Sequence, residues 1–382
     1  MSRVLPFLLF VAIALSLVAG MHYYLWARLV RDPQLPQQWA RFATGALVAL
    51  AVALPLAMIL SRLAPGVRPL LWLAFVWMGA GFLLVAVLGV ADAGRAVAWA
   101  VRKLGASPGP GAADPARRVL LARTLAASVG GVAVGLSAFG LRSALGKISV
   151  KELEIRLRGL PQALAGFKLV QISDVHVGPL LRRDWVSGVV ESIRALSPDA
   201  VVITGDLVDG SVDELRQHVA PLAGLDAPRG VFFSTGNHEY YSGVDDWLRH
   251  LPTLGIRPLS NERVELAPGL DLAGIDDPTG APDLARALEG RTPGRPVILL
   301  AHQPRQFAEA ARQKVDLTLS GHTHGGQLWP FTVLVALAQP YVAGLHSRGN
   351  SQLYVSRGTG FWGPPMRVFA PAEITLLRLV PA

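Results

Sequence analysis

The sequence predicts two parts of different class: an N-terminal bundle of about four transmembrane helices over residues 1–148, and an α/β domain over residues 149–382. Three observations predict it. The chain is 51% hydrophobic and only 16% charged, too apolar for an ordinary soluble enzyme of 382 residues. Its long uncharged runs all lie in the first part. In the second part, short β-rich runs alternate with segments of helical spacing, the pattern of a sheet with both faces covered.

Four runs make up the bundle. They are VLPFLLFVAIALSLVAG (4–20, in a helix near 4–26), ATGALVALAVALPLAMIL (43–60), LLWLAFVWMGAGFLLVAVLGVA (70–91) and TLAASVGGVAVGLSAFGL (124–141). Each approaches the ~20 apolar residues that cross a bilayer. The first alone would also suit a cleaved signal peptide. Three more of the same length favour a multi-pass membrane region. The fourth is rich in Gly, Ala and Ser, which suits close helix packing. GASPGPGAADPARR (105–118) reads as a loop between the third and fourth helices, because Gly and Pro interrupt any helical pattern. No acid lies inside the runs and no paired charges are evident, which weighs against a transporter.

The formal charge of +9 is unevenly placed. Residues 1–148 hold 14 Lys/Arg against 3 Asp/Glu, and residues 149–382 hold 22 against 24. The excess therefore orients membrane helices, and the near-neutral second part lacks the basic stripe of a nucleic-acid enzyme. Arg28, Arg31 and Arg41, with Arg95, Arg102, Lys103, Arg117, Arg118 and Arg123, occupy the first and third loops. Only Arg3, Arg62 and Arg68 occupy the N-terminal tail and second loop. Placing the larger group inside puts the α/β domain outside the cytoplasm. Arg117-Arg118 before an apolar run also resembles a twin-arginine export signal, although it is internal.

The second part opens with SVKELEIRLRGLP (149–161), whose alternation reads as a strand. No internal repeat suggests a solenoid. Thereafter β-rich runs end in polar clusters. FKLVQIS leads to Asp174 and His176, DAVVIT to Asp206 and Asp209, and GVFFST to Asn237, His238 and Glu239. PVILLA leads to His302, and VDLTLS to His322 and His324. Helical spacing separates them, as in 184–196 and 304–314. Ligands in such sheets bind beyond the strand C-termini, so the clusters are expected to meet at one edge. The glycines of SGHTHGGQ (320–327) suit sharp turns and close backbone approach there.

The inventory of Asp, Asn and His suits Mn, Fe or Zn, and is too large for one ion. Shared between two through a carboxylate, it suits a dinuclear centre. The chain has no cysteine, which excludes thiolate ligands, a disulfide framework and a cysteine nucleophile. A lone Asp after a strand is commonly a turn former and a lone His commonly structural; together and in order they read as a site. His22, His218, His250 and His346 fit no such pattern.

The ordered set DVH…GDLVD…GNHE…H…GHTH resembles the calcineurin-like metallophosphoesterases over roughly residues 165–379. The resemblance implies a double β-sandwich flanked by helices, and a phosphoesterase site with two divalent or trivalent metal ions. It implies that Asp174, His176 and His324 hold one ion, that Asn237, His302 and His322 hold the other, and that Asp206 bridges them. His238 would contact the scissile phosphate or protonate the leaving oxygen. Asp209 would orient its neighbours, and Glu239 would support. Hydrolysis would then proceed by metal-activated hydroxide without a covalent enzyme intermediate.

The wording FKLVQISDVHVG, GNHEYYSG, SGHTHGGQ and GPPMRVFAPAEITLL is similar to a membrane-anchored or exported phosphodiesterase branch, related to UDP-2,3-diacylglucosamine hydrolases. That resemblance implies a phosphoester substrate, lipid-linked in one reading, with hydrolysis of UDP-2,3-diacylglucosamine in lipid A synthesis as an alternative. A sensor with a non-catalytic, ligand-binding domain is the alternative of another class. Arg182, Arg183 and Arg367 are candidates for holding phosphate. LWPFTVLVALAQPYVAG (328–344) is either a buried element of the core or a hydrophobic lip touching bilayer or acyl chain.

Overall fold

A computed structural model describes residues 4–61, 68–104 and 114–382. Arg3, Arg62 and residues 105–113 of the expected third loop lie outside the described residues. The chain divides into two compact units, Met1–Gly140 and Leu141–Ala382.

The first unit is helical: α1 (Val4–Trp26), α2 (Gln37–Ser61), α3 (Arg68–Leu104) and α4 (Pro115–Leu145), the last continuing into the second unit. Among the described residues, four helices are long and apolar enough to cross a membrane. Leu25, Leu88 and Val129 are buried together, with Met21, Trp77 and Leu84 packed against them. Two expectations need correction. Arg41 belongs to α2, Arg68, Arg95, Arg102 and Lys103 to α3, and Arg117, Arg118 and Arg123 to α4 rather than to loops, because good helix formers such as Arg and Lys continue a helix beyond its apolar run. The first unit also does contain paired charges: Asp92 in α3 accepts from Arg28 Nε at 2.9 Å and from Tyr24 Oη at 2.7 Å, and is paired with Arg95. Tertiary packing makes this cluster, so no run of sequence displays it.

In the second unit β1 (Ser149–Leu157), β12 (Glu373–Pro381), β2 (Phe167–Ile172), β3 (Ala200–Thr204), β4 (Val231–Ser234) and β5 (Ile256–Pro258) form one sheet in that order. The other sheet runs β10 (Gly344–Arg348), β11 (Ser351–Val355), β9 (Leu317–Ser320), β8 (Val297–Leu300), β7 (Leu270–Gly274) and β6 (Glu262–Ala267). β2 to β5 are mutually parallel, and so are β7, β8, β9 and β11.

Alternation along the strands builds three cores. Leu169, Val202 and Phe232 face Leu272, Ile298, Leu300, Leu317 and Leu319 between the sheets. Val170, Ile172, Val201 and Ile203 point outward to α5 (Arg183–Arg194), α6 (Val212–Val219) and α8 (Val244–His250). α5 meets them with Val186, Val189, Val190 and Ile193, one helical stripe. Beyond the other sheet, Val297 and Leu299 pack on Phe307 and Ala310 of α10 (Phe307–Arg312). The result is the double sandwich flanked by helices. Its two parallel cores end their strands toward a common edge, where Gln171 Nε2 donates to Thr204 Oγ1 at 2.9 Å and to Ser320 O at 3.1 Å across the sheets.

Candidate metal centre

Every expected ligand lies just past a strand of that edge. Asp174 and His176 follow β2, Asp206 follows β3, and Asn237 opens the short α7 (Asn237–Ser242) after β4. His302 follows β8, and His322 and His324 follow β9. Asp174, His176, Asp206, His322 and His324 all have φ between 51° and 70°, five of the eleven non-glycine residues with positive φ among the described residues. Such conformations persist only where the surroundings impose them, and they concentrate at functional sites. Gly321 belongs to the same demand: a Cβ there would collide with Ser173 Oγ and Asp174 Oδ2.

Among the described residues, three groups of His and Asp have ligand atoms within 4.8 Å of one another: Asp174 with His176 and His324, Asp206 with His302 and His322, and Asp209 with His176 and His238. The first two hold the expected ligands. In the first, Nε2 of His176 and Nε2 of His324 are 3.0 Å apart, and Asp174 Oδ1 is 3.3 Å from the latter. In the second, His302 Nε2 lies 3.1 Å from Asp206 Oδ2, and Asn237 Oδ1 lies 3.0 Å from His322 Nδ1. Asp206 Oδ2 is also 3.9 Å from His176 Nε2, so one carboxylate stands between both groups. His302 supplies the test of fit. Its Nδ1 is bound to Thr204 O at 2.8 Å, while its fully buried Nε2 has no hydrogen-bond partner. An orphaned buried imidazole nitrogen beside a carboxylate oxygen is what a metal ligand looks like. The donor set fits bound metal.

Three further groups fix this set. Asp209 Oδ1 binds Nδ1 of His176 at 3.0 Å and Nδ1 of His238 at 2.6 Å, leaving both Nε2 atoms for other work. Glu239 is buried; its Oε2 accepts from the N–H of Asp206 at 3.0 Å and of Gly236 at 2.7 Å. Its Oε1 accepts from the Leu207 N–H at 2.7 Å, so one carboxylate clamps the two loops that carry Asp206 and Asn237. Arg367 was expected to bind phosphate. It is instead fully buried, and its guanidinium donates to the carbonyls of Gly360 at 2.6 Å and Ala370 at 2.9 Å, with Nη2 facing His324 Nδ1 at 3.3 Å. Its donors are committed to holding that loop. Arg183 Nη1 binds Gln217 O at 3.1 Å and Arg182 Nε binds Pro179 O at 3.2 Å.

The electrostatics call for positive charge. Burial pulls the His302 and His176 imidazoles down, yet neighbouring carboxylates outweigh it. Asp206 pushes His302 up to about 10, and Asp209 with Asp206 pushes His176 up to about 9. Burial and nearby cations hold His322 down at about 3, and burial with His176 and Arg367 holds His324 well below the usual range. Burial raises Asp206, but His302, His176 and His238 reverse that and hold it far below the usual carboxylate range. His322 and His324 are thus neutral donors, and cations bound beside His302 and His176 would displace the protons that the carboxylates hold there.

Two aromatic residues join the site without a sequence pattern that marks them. Trp362 and Tyr241 flank His238, with ring centroids 5.8 Å and 5.4 Å away, and both are exposed. The one available signal was large aromatics at turns, in GNHEYYSG and FWGPP. His22 accepts from Trp77 Nε1 at 2.9 Å in the helical unit, and His346 binds Ala343 O at 3.1 Å.

Residues 167–326 match the model of the calcineurin-like phosphoesterase family. An uncharacterized metallophosphoesterase of Helicobacter pylori (strain 26695) is 43% identical over 250 residues, which cover 63% of this chain and 66% of that protein. The chain thus spans just under two thirds of that relative's length. A transmembrane protein with metallophosphoesterase domain from Bos taurus is 39% identical over 331 residues, 80% of this chain and 73% of that protein. An uncharacterized metallophosphoesterase of Aquifex aeolicus is 36% identical over 241 residues, 61% of this chain and 92% of that protein.

Proposed function

The chain belongs to the calcineurin-like phosphoesterase family, and from that membership we infer that it is a membrane-anchored hydrolase of phosphoesters working with two metal ions. The observation that carries the reading is Asp206 Oδ2, placed 3.1 Å from a ligand nitrogen of one group and 3.9 Å from a ligand nitrogen of the other. Asp174, His176 and His324 would hold one ion, Asn237, His302 and His322 the other, with Asp206 between. The donor chemistry suits Mn, Fe or Zn. Ions held there would supply Lewis acidity toward a phosphoryl oxygen and activation of a water near neutral pH.

The protein's own groups do the rest. Asp209 holds His238 by Nδ1, which aims Nε2 into the site. That Nε2 gives its proton to the departing alkoxide. Trp362 and Tyr241 wall the approach to His238. Buried Arg367 and the clamp of Glu239 keep the ligand loops in place through reaction. The four apolar helices and the bias of positive charge in the first part support a multi-pass membrane protein with its catalytic unit outside the cytoplasm. A lipid-linked phosphodiester or phosphomonoester is the substrate class that best suits such an anchor.

The test is hydrolysis of bis-p-nitrophenyl phosphate by the purified full chain with Mn. Asp206→Ala is expected to lower the rate by more than about 100-fold, the upper range for outer-shell partners alone. Equal rates in the two proteins would leave ligand binding without catalysis as the better reading.

A further inference from the structure

We propose that α11 (Phe331–Ala338), together with Trp329 and Phe369, is a lip that dips into a phospholipid bilayer beside the metal centre. The enzyme would then take its phosphoester from the bilayer surface; only this last step rests on the phosphoesterase reading.

The segment FTVLVALA carries no charge, and none of its residues is buried. Val333, Leu334 and Leu337 are 57%, 56% and 81% exposed, and Phe369 is 67% exposed. A contiguous apolar face of this kind is rare on a surface meant for water alone. It is also rigidly built. Thr332 packs so closely on Gly326, two residues past His324, that a Cβ at 326 would collide with it. At the far end Thr323 Oγ1 donates to Val342 O at 2.6 Å, so both ends of the segment are tied to the ligand loop. Gln327 binds both the N–H of Trp362 at 3.1 Å and its carbonyl at 2.9 Å, and the rings of Trp329 and Phe369 stand 6.3 Å apart. The lip and the aromatic wall of the site therefore form one body.

A bilayer is the occupant that the chain itself argues for. α4, an apolar helix of spanning length, ends at Leu145, and β1 begins at Ser149. Three residues of extended chain reach only about 10 Å, so the catalytic unit works at a membrane surface. Ala144 in the last turn of α4 packs on Leu181 and Phe361, and Phe361 immediately precedes Trp362. Residues 141–145 belong to the second unit, so the loop that joins the lip packs on that unit's own entry segment. Trp329 and Trp362, apolar rings with one polar edge, suit the headgroup level.

The absence of native cysteine makes the test direct. Nitroxide labels on Leu334→Cys and Leu337→Cys, and on Asp213→Cys as a water-facing control, are read in the full chain reconstituted in phosphatidylethanolamine–phosphatidylglycerol vesicles. The lip labels are expected to collide with oxygen and to be shielded from a water-soluble nickel chelate, and the control to show the reverse. Nickel access at 337 equal to that at 213 overturns the proposal, as does shielding from both quenchers, which would mean a protein partner. In parallel, Leu334→Glu with Leu337→Glu is expected to slow hydrolysis of hexadecyl p-nitrophenyl phosphate held in vesicles about tenfold, with the rate on bis-p-nitrophenyl phosphate unchanged. Equal loss on both substrates argues against the lip. If the parent hydrolyses neither, the phosphoesterase reading fails while the depth measurement still decides the lip.

Discussion

Replacing Glu239 by Gln removes one acceptor oxygen from a carboxylate that serves two on each side. Oε2 takes the N–H groups of Asp206 and Gly236, and Oε1 those of Leu207 at 2.7 Å and Val208 at 3.4 Å. Whichever oxygen becomes the amide nitrogen, two buried N–H donors then face a third donor. Each costs about 1–3 kcal/mol, so the loss is roughly 2–6 kcal/mol. For a unit of this size about 1 kcal/mol corresponds to 2–4 °C, giving a Tm lower by roughly 4–24 °C. Burial and the Asp206 carboxylate push Glu239 up to about 7, so the melt belongs at about pH 8.5, where the group is ionised. The assay is thermal unfolding of the full chain, followed by near-ultraviolet circular dichroism with bound metal quantified beforehand. A Tm within about 1 °C of the parent would refute the reasoning: Glu239 would then carry a proton in the fold, or the two loops would hold without it.

Three other outcomes follow from the same geometry. His238→Ala should slow esters with poorly departing alkoxides by about 10²–10⁴ and p-nitrophenyl esters far less, since a good leaving group needs no proton; equal losses in the two series would remove His238 as the acid. Gly321→Ala should cost about 1–3 kcal/mol in urea unfolding and weaken metal retention, because the new methyl meets Ser173 Oγ and Asp174 Oδ2. An unaltered metal content would count against the close approach. Arg367→Met should lower stability by about 1–3 kcal/mol for each carbonyl it orphans without raising KM for phosphoester, whereas a rise in KM alone would restore its phosphate-binding role.

The convergence of the candidate ligands was legible because each follows a β-rich run whose end is marked by an abrupt change from apolar to polar, as in DAVVIT before Asp206. Parallel strands carry such ends to one edge, so order along the chain becomes proximity in space. What escaped was set by packing. Arg367 looks like any surface arginine until the carbonyls of Gly360 and Ala370 converge on it. Asp92 lies one residue beyond the third apolar run, and its partner Arg28 is 64 positions away. Helix ends escaped for a related reason: hydropathy marks the hydrocarbon crossing, whereas α3 continues to Leu104 through charged turns. Composition also left 328–344 open between core and lip, since apolarity states what a segment avoids and says nothing of what covers it. Tyr241 and Trp362 had no period or spacing to betray them, and only the fold brings them to His238.

The central claim is that one rim of the sandwich gathers two cations around Asp206. Elemental analysis of the purified full chain after Mn loading and exhaustive dialysis tests it most directly. Two ions per chain in the parent, and a clear deficit in Asp206→Ala, are the expected result. One ion or none in the parent, or the same content in both proteins, would contradict it.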